Sequence, residues 1–357
     1  RDVGVIQATF RDPAGQLVIR GDEIVRGVTQ AGARDLEKFL NSASAKAMMA
    51  EGRLIATKEI DAAAAGDLKD HFTVDVARYL RHPAIEFPSY PYEWPVEMLH
   101  AAAVSTLQLF DRLLSDGIGL KDATPFNILF QGPRPVFVDV LSFEERRPED
   151  PLWRPEAQFS QTFLLPLLAY RLFGTEPARV FVNSPGGLEP GDVYAMCSPL
   201  RRLCPPVLGM VSLPVWFGRP IQSEALYREC ETGNAEKAEF VLRHLLKRLR
   251  RRLASVVPAS RSRSAWSEYM QNLHYRPEEF ALKQQFVSRA LAPSAVRRVL
   301  DVGCNTGHFS LMAARAEARR RDPRAHDTAH DRMGGRDRRA DPCGKVYPKR
   351  GRHQRCH

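Results

Sequence analysis

Two stretches of the chain combine residue types and spacings that can do chemistry. The first is Arg298–Ser310, RVLDVGCNTGHFS, where a short aliphatic run with one acid leads into a glycine turn and an apolar helical start. Gly303 and Gly307 carry no Cβ, so the backbone there can turn sharply and come close to a ligand. A helix that begins at such a turn leaves its first N–H groups free to face a polar group. The spacing is D-x-G-x-x-x-G, which differs from the G-x-G-x-x-G of dinucleotide binders and from the G-x-x-x-x-G-K-[ST] of phosphate loops. No lysine follows, so a phosphate cradle is not expected.

The second stretch is Leu120–Phe130, LKDATPFNILF, continued by Val136–Phe143, VFVDVLSF. Asp122 and Asn127 stand in the order D-x-x-x-x-N on a loop before a strand, and Asp139 ends the next apolar strand. Two carboxylates and an amide so placed could share a polar site. They could equally be structural, with Asp122 closing a turn through its own backbone.

Both stretches resemble known families. The first resembles motif I of the class I S-adenosylmethionine (SAM)-dependent methyltransferases, in which the glycine turn runs under the methionine and ribose part of the cofactor. That resemblance implies that Asp301, Gly303, Cys304, Asn305, Thr306 and Gly307 border SAM. The second resembles the catalytic loop and metal-binding aspartate of protein kinases and aminoglycoside phosphotransferases. It implies Asp122 as the base that orients an acceptor hydroxyl, with Asn127 and Asp139 holding Mg²⁺ on the phosphates of ATP. The match has departures: Lys121 precedes Asp122, Val140-Leu141 follow Asp139, and no Gly-rich phosphate loop lies upstream.

Taken together, SYPYEW, LKDATPFN, VFVDVLSFE and VLDVGCNTGHFS resemble a bacterial family of class I SAM-dependent methyltransferases with a kinase-like N-terminal region, a family that includes a rhizobial nodulation host-specificity protein. The resemblance implies methyl transfer from SAM; the acceptor is expected to be of small-molecule or glycan type, but the motifs do not identify it. The alternatives are an ATP- and Mg-dependent phosphotransferase built on Asp122, Asn127 and Asp139, or a non-catalytic kinase-like scaffold.

The elements that must position these residues follow from hydrophobic spacing. Val3–Val28 reads as short strands, with turns at Pro13-Ala14-Gly15 and Gly21-Asp22 that predict a hairpin or meander. Ala33–Met49 has helical spacing, Gly52–Ile60 reads as a strand carrying a solvated Lys58, and Asp75–Arg81 as a short helical turn. Pro83–Pro95 is too rich in proline for a helix and is expected to run extended, burying Phe87, Tyr90, Tyr92 and Trp94. Val96–Ser115 steps its apolar positions by three and four, which predicts a long helix with a buried stripe, ended by Asp116-Gly117.

Further on, Asp150–Phe173 is expected to become an apolar helix kinked or restarted at Pro166. Pro199–Pro220 is expected to be irregular but buried. Ala235–Val257 predicts an amphipathic helix with Phe240, Val241, Leu245, Leu249 and Leu253 near its buried face. Its other face carries Arg243, Lys247, Arg248, Arg250, Arg251 and Arg252. No aromatic side chains are interleaved for base stacking, so a solvated face is expected rather than a nucleic-acid groove.

These readings give an α+β kinase-like region at 1–257 and a linker at 258–264, PASRSRS without its flanks. A Rossmann-like α/β methyltransferase domain then starts at 265–314, where Trp266, Tyr269, Tyr275, Phe280, Lys283 and Phe286 form a helical lead-in to the first βα unit. From Arg315 to His357 the pattern changes: 14 Lys and Arg stand against 6 Asp and Glu, leaving 38 and 36 in the rest of a chain whose formal net charge is +10. This tail has almost no aliphatic residues and cannot bury enough apolar surface to offset its ordering. We therefore expect it to be disordered or frameshifted, with the domain cut short and SAM held weakly or not at all.

The six cysteines include no C-x-x-C pair, which suits reduced thiols in a cytoplasmic protein. No metal site is expected from Cys343, His353, Cys356 and His357, because adjacent Cys356 and His357 are poorly placed to chelate one tetrahedral ion. No apolar run is long enough to span a membrane.

Overall fold

The computed structural model describes residues 7–8, 13–218, 233–258, 276–292, 299, 301, 304 and 307–321. The chain divides into two compact units, Arg1–Ala259 and Ser260–His357. The first is a mixed α/β body with small antiparallel sheets.

Its amino-terminal part is a five-stranded sheet of order β1-β2-β3-β5-β4, formed by β1 (Gln7–Ala8), β2 (Gly15–Arg20), β3 (Glu23–Val28), β4 (Lys58–Ile60) and β5 (Arg78–Pro83). A two-residue turn joins β2 to β3, with Gly21 at φ +59°, the left-handed conformation that such hairpins need. Helices α1 (Gln30–Asn41) and α2 (Ala43–Ala50) lie between β3 and β4, followed by the single turn α3 (Ala62–Ala65). The sequence spacing suggests one helix over 33–49. The chain instead breaks at Ser42, whose extended backbone lets its hydroxyl cap α2 by accepting from Ala45 N at 3.0 Å.

The helical turn expected at Asp75–Arg81 is corrected to strand β5. Leu80 and His82 are buried while Arg81 is exposed, a two-residue period, and the strand pairs with β3 in the register Ile24↔His82 and Arg26↔Leu80. Of the strand expected over 52–60, only Lys58–Ile60 forms, although Leu54 bridges to Phe137. Lys58 is exposed. Of the aromatic residues in Pro83–Pro95 only Trp94 is buried, its indole N–H donating to Ser89 Oγ at 3.2 Å. Phe87, Tyr90 and Tyr92 are exposed: the turn Pro91–Glu93 folds back so that Glu93 accepts from Tyr90 N at 2.8 Å, and the two tyrosine rings stack on each other at 5.7 Å.

The axis of the larger core is α4 (Val96–Leu114), which buries Leu99, Ala102, Ala103, Leu107, Phe110 and Leu113. Gly117, at φ +69°, turns the chain into β6 (Ile118–Leu120). Strands β7 (Ile128–Gln131) and β8 (Arg134–Phe137) form a hairpin, and β9 (Phe143–Glu145) returns to pair with β6. Phe39 of α1 stacks face to face on Phe143 of β9, centroids 4.1 Å apart and planes 7° apart, so the helix behind the sheet is seated on the loop strands.

The following helix runs as α5 (Glu156–Phe159), a π turn (Ser160–Leu164) and α6 (Leu165–Phe173). Pro166, which has no N–H to donate, falls at the start of α6. The carbonyl of Gln161 in the π turn accepts from Leu188 N at 3.0 Å. Gly187, at φ +83°, allows that approach, because a Cβ there would meet Gln161 O.

Shorter helices α7 (Pro177–Asn183), α8 (Pro190–Met196), α9 (Pro199–Arg202) and α10 (Leu213–Phe217) follow, with a second π turn at Leu208–Ser212. The described part of the 199–220 stretch, 199–218, is thus more helical and less buried than its prolines suggest: Val207, Met210 and Val211 are buried, whereas Leu203, Trp216 and Phe217 are exposed.

Helix α11 (Ala235–Ser255) packs on α4 with Ala238, Leu242, Leu245, Leu246, Leu249 and Leu253. Phe240 and Val241, expected on the buried face, are exposed. Its arginines are engaged internally: Arg243 and Arg250 with Asp111, Arg248 with Glu156, and Arg252 with Gly209 O.

In the second unit, α12 (Pro277–Leu291) packs against α13 (His308–Arg321). Val299 and Asp301, which the sequence suggests are in or beside a strand, belong to no regular element. The rest of that run, Trp266, Tyr269 and Tyr275 of the lead-in, most of the 258–264 linker, and everything beyond Arg321 lie outside the described residues. Among the described residues, no helix is long and apolar enough to cross a membrane.

The Phe39–Phe143 stack should be a principal tie between α1 and the loop strands. Phe39→Ala is expected to cost about 3–5 kcal/mol, read as a lower urea midpoint at unchanged slope.

Candidate functional site

Strands β6, β7 and β8 position Asp122, Asn127 and Asp139. Asp122 follows β6, Asn127 ends a single 3₁₀ turn entering β7, and Asp139 follows β8. Backbone bonds fix the loops: Lys121 N donates to Ser142 O at 2.7 Å and Val138 N to Asn127 O at 2.9 Å.

Asn127 and Asp139 are joined through Ser142. The Asn127 amide donates to Ser142 Oγ at 2.9 Å, and the Ser142 hydroxyl donates to Asp139 Oδ2 at 2.5 Å. Asp139 Oδ1 accepts from Arg26 Nη1 at 2.9 Å. The Arg26 side chain is 11% exposed and that of Asp139 26%, so this ion pair lies largely out of water. It links the middle of β3 to the end of β8.

Asp122 stands apart from this network. It is exposed, with Oδ1 3.4 Å from Gln158 Nε2. The loop beside it is held from the helix: Ala123 N donates to Gln158 Oε1 at 2.6 Å, and the Thr162 hydroxyl lies 3.3 Å from Ala123 O. Helix α5 and the π turn therefore pin both sides of the residue next to Asp122.

His82 completes the buried polar group on the sheet. Antiparallel pairing places it opposite Ile24, two residues from Arg26 and on the same face. The Thr57 hydroxyl donates to Ile55 O at 3.1 Å, so the 3.2 Å contact between Thr57 Oγ1 and His82 Nδ1 has the ring nitrogen as donor. This leaves Nε2 as an acceptor. Among the described residues, neither His82 Nε2 nor Arg26 Nε has a hydrogen-bond partner, although both are buried. Burial, with the positive charge of Arg26, holds the His82 pKa down to about 4, so the ring is neutral at physiological pH.

The fit of a divalent metal is decided by these contacts. Asp139 has both oxygens engaged, and Arg26 already neutralises its charge. An ion on the same carboxylate would stand about 4 Å from the guanidinium. Unit charges at that distance interact by about 4 kcal/mol at an effective dielectric of about 20, so a divalent ion would be repelled by about 8 kcal/mol. Among the described residues, no group of three or more His, Cys, Asp or Glu could hold a metal. The residues as arranged do not fit Mg²⁺.

At the glycine turn of the second unit, Gly307 has φ +75°, its N–H donates to Cys304 O at 2.8 Å, and its carbonyl accepts from Leu311 N to begin α13. Asp301 is drawn to the first turn of that helix, its Oδ2 accepting from Ser310 Oγ at 2.6 Å. His308 packs between Phe280 and Phe309, with Nε2 2.9 Å from Gln284 Nε2. Burial, and then Arg315, keep its pKa below the usual histidine range. Lys283 lies over the Phe309 ring at 5.1 Å. Gly303, Asn305 and Thr306 fall outside the described residues. An acid and a left-handed glycine turn thus lie together at the start of a helix.

Sequence reasoning missed Arg26, His82, Ser142 and Gln158. A charge within the apolar run EIVRGV was the available signal for Arg26.

No protein-family model matches the chain. It is 31% identical over 340 residues to the nodulation protein NoeA of Rhizobium meliloti (strain 1021), a match that covers 92% of this chain and 69% of that protein.

The depressed His82 pKa carries a prediction. Below pH 6.5 the unfolded ring takes up a proton that the folded ring does not, so stability is complete above that pH and is lost as pH falls toward 4, by roughly 3 kcal/mol. Urea unfolding across this window should show a flatter pH dependence for His82→Gln than for the parent; equal slopes would contradict it.

Proposed function

The chain belongs to the family of the nodulation protein NoeA, and within that family we propose that it is a class I SAM-dependent methyltransferase with a kinase-like first unit. The observation that carries the reading is the D-x-G-x-x-x-G turn at Asp301–Gly307, running into α13 through a left-handed Gly307 with Asp301 tied to the first helical turn. The residues that would hold SAM are Asp301, Gly303, Cys304, Asn305, Thr306 and Gly307.

When bound, the cofactor supplies an electrophilic methyl group on a sulfonium, and the protein's work is to align a nucleophile with it. Gly307 keeps the backbone close enough to approach a ligand. The Ser310 hydroxyl orients the Asp301 carboxylate, and Phe280 and Phe309 pack the His308 ring against the start of α13.

The first unit is read as a kinase-like scaffold that does not transfer phosphate. Its support is the arrangement already described: Asp122 is apart from Asn127 and Asp139, and those two are tied to Ser142 and Arg26.

Two experiments test these readings. Photo-crosslinking of methyl-labelled SAM, which traps weak complexes, should be saturable, competed by S-adenosylhomocysteine and reduced about tenfold or more by Gly307→Val, because a β-branched residue resists positive φ. Absence of labelling, or labelling indifferent to Gly307→Val in a folded variant, would remove the methyltransferase reading. For the first unit, ATP turnover with Mg²⁺ should not exceed that of Asp122→Asn; turnover lost in that variant would restore the phosphotransferase.

A further inference from the structure

We propose that Arg26 is a built-in counter-cation that closes Asp139 to divalent metal, making the Asp122–Asn127–Asp139 loops metal-independent. The inference rests on the kinase-like reading of these loops and not on the methyltransferase reading.

Three features carry it. First, Arg26 cannot readily leave. Its backbone lies mid-strand, paired to Leu17 of β2 on one side and Leu80 of β5 on the other, and its side chain is nine-tenths buried. Second, its guanidinium is committed to Asp139, Nη1 lying 2.9 Å from Oδ1, and among the described residues this is the one ion pair it makes. Third, the space between the two supposed ligands holds a hydroxyl. Ser142 Oγ accepts from the Asn127 amide N–H and donates to Asp139 Oδ2, so a hydroxyl of the protein bridges the two side chains. A guanidinium on one carboxylate oxygen and a hydroxyl on the other supply the charge and the donors that a hydrated ion would supply.

The proposal also accounts for the order of the contacts. In β3, a lysine would present a point charge on a flexible stem. Arginine presents a fixed fork of donors, one of which, Nη1, reaches Asp139 while the rest of the side chain stays within the sheet. The site therefore keeps its shape without an ion to organise it.

The test is a titration of the full chain with Mn²⁺ alone, read by loss of the free-ion electron paramagnetic resonance signal. Parent, Arg26→Lys and Arg26→Gln proteins are each compared with and without Asp139→Asn, so that binding elsewhere on the chain cancels. Parent and Arg26→Lys should show no binding that depends on Asp139. Arg26→Gln, checked for a cooperative melt, should gain an Asp139-dependent site at least about tenfold tighter. Mn²⁺ binding by the parent that disappears with Asp139→Asn overturns the proposal, and this arm decides alone should Arg26→Gln fail to fold. A folded Arg26→Gln protein with no Asp139-dependent binding overturns it too. The readout is metal occupancy rather than turnover, so it separates this inference from the phosphotransfer test.

Discussion

An arginine placed in the middle of a half-covered strand must find a carboxylate, and in this protein that need organises the first unit. Arg26 leaves water with β3 and is compensated by Asp139 at the end of β8, 113 residues away in sequence. For the two to meet, the five-stranded sheet and the β7–β8 hairpin must be held close together. The Phe39–Phe143 stack and the bridge of Leu54 to Phe137 supply that constraint from apolar and backbone contacts. The ion pair is thus the polar reading of a geometry that packing imposes. Removing either partner would leave a buried charge uncompensated, which is costlier than the pair is favourable.

The same logic explains why the loops are satisfied from within. Asn127, Ser142 and Asp139 form a chain of donors and acceptors that ends on Arg26, and Gln158 with Thr162 hold the peptide beside Asp122. Buried polar groups are stable only when paired, and here the pairing comes from side chains of four different segments. His82 stands at the margin of this arrangement. It is neutral, with one ring nitrogen committed to Thr57 and the other without a partner among the described residues.

Much of the scaffold was legible in the sequence because it is governed by local signals. The turns at Pro13-Ala14-Gly15 and Gly21-Asp22 mark the β2–β3 hairpin, and the three-and-four spacing of Leu99, Ala103, Leu107, Phe110 and Leu113 marks α4. Strand β5 was missed because its six residues carry four polar side chains, and only pairing with β3 reveals which of them face inward. The aromatic residues of Pro83–Pro95 were expected to be buried on composition alone, whereas a single turn decides which way the tyrosines face. The glycine turn at Gly307 was visible as a motif, but the closure of the Asp122 loops was not. A motif lists side chains and says nothing of the arginine that arrives from another strand to meet one of them.

The π turn at Ser160–Leu164 has a mechanical meaning for the loop beside Asp122. It separates two helical segments, one anchored in the core through Leu165, Leu167 and Leu168, the other presenting Gln158 to Ala123. Each residue of an α-helix advances the azimuth by about 100°, so the extra residue in this turn sets the phase between the buried end and the working end. The turn is a gear tooth in the backbone. Losing one residue within it would keep both segments helical while rotating Gln158 away from the loop it now holds. Gly187, which makes room for the carbonyl exposed by that turn, is the small residue on which the setting depends.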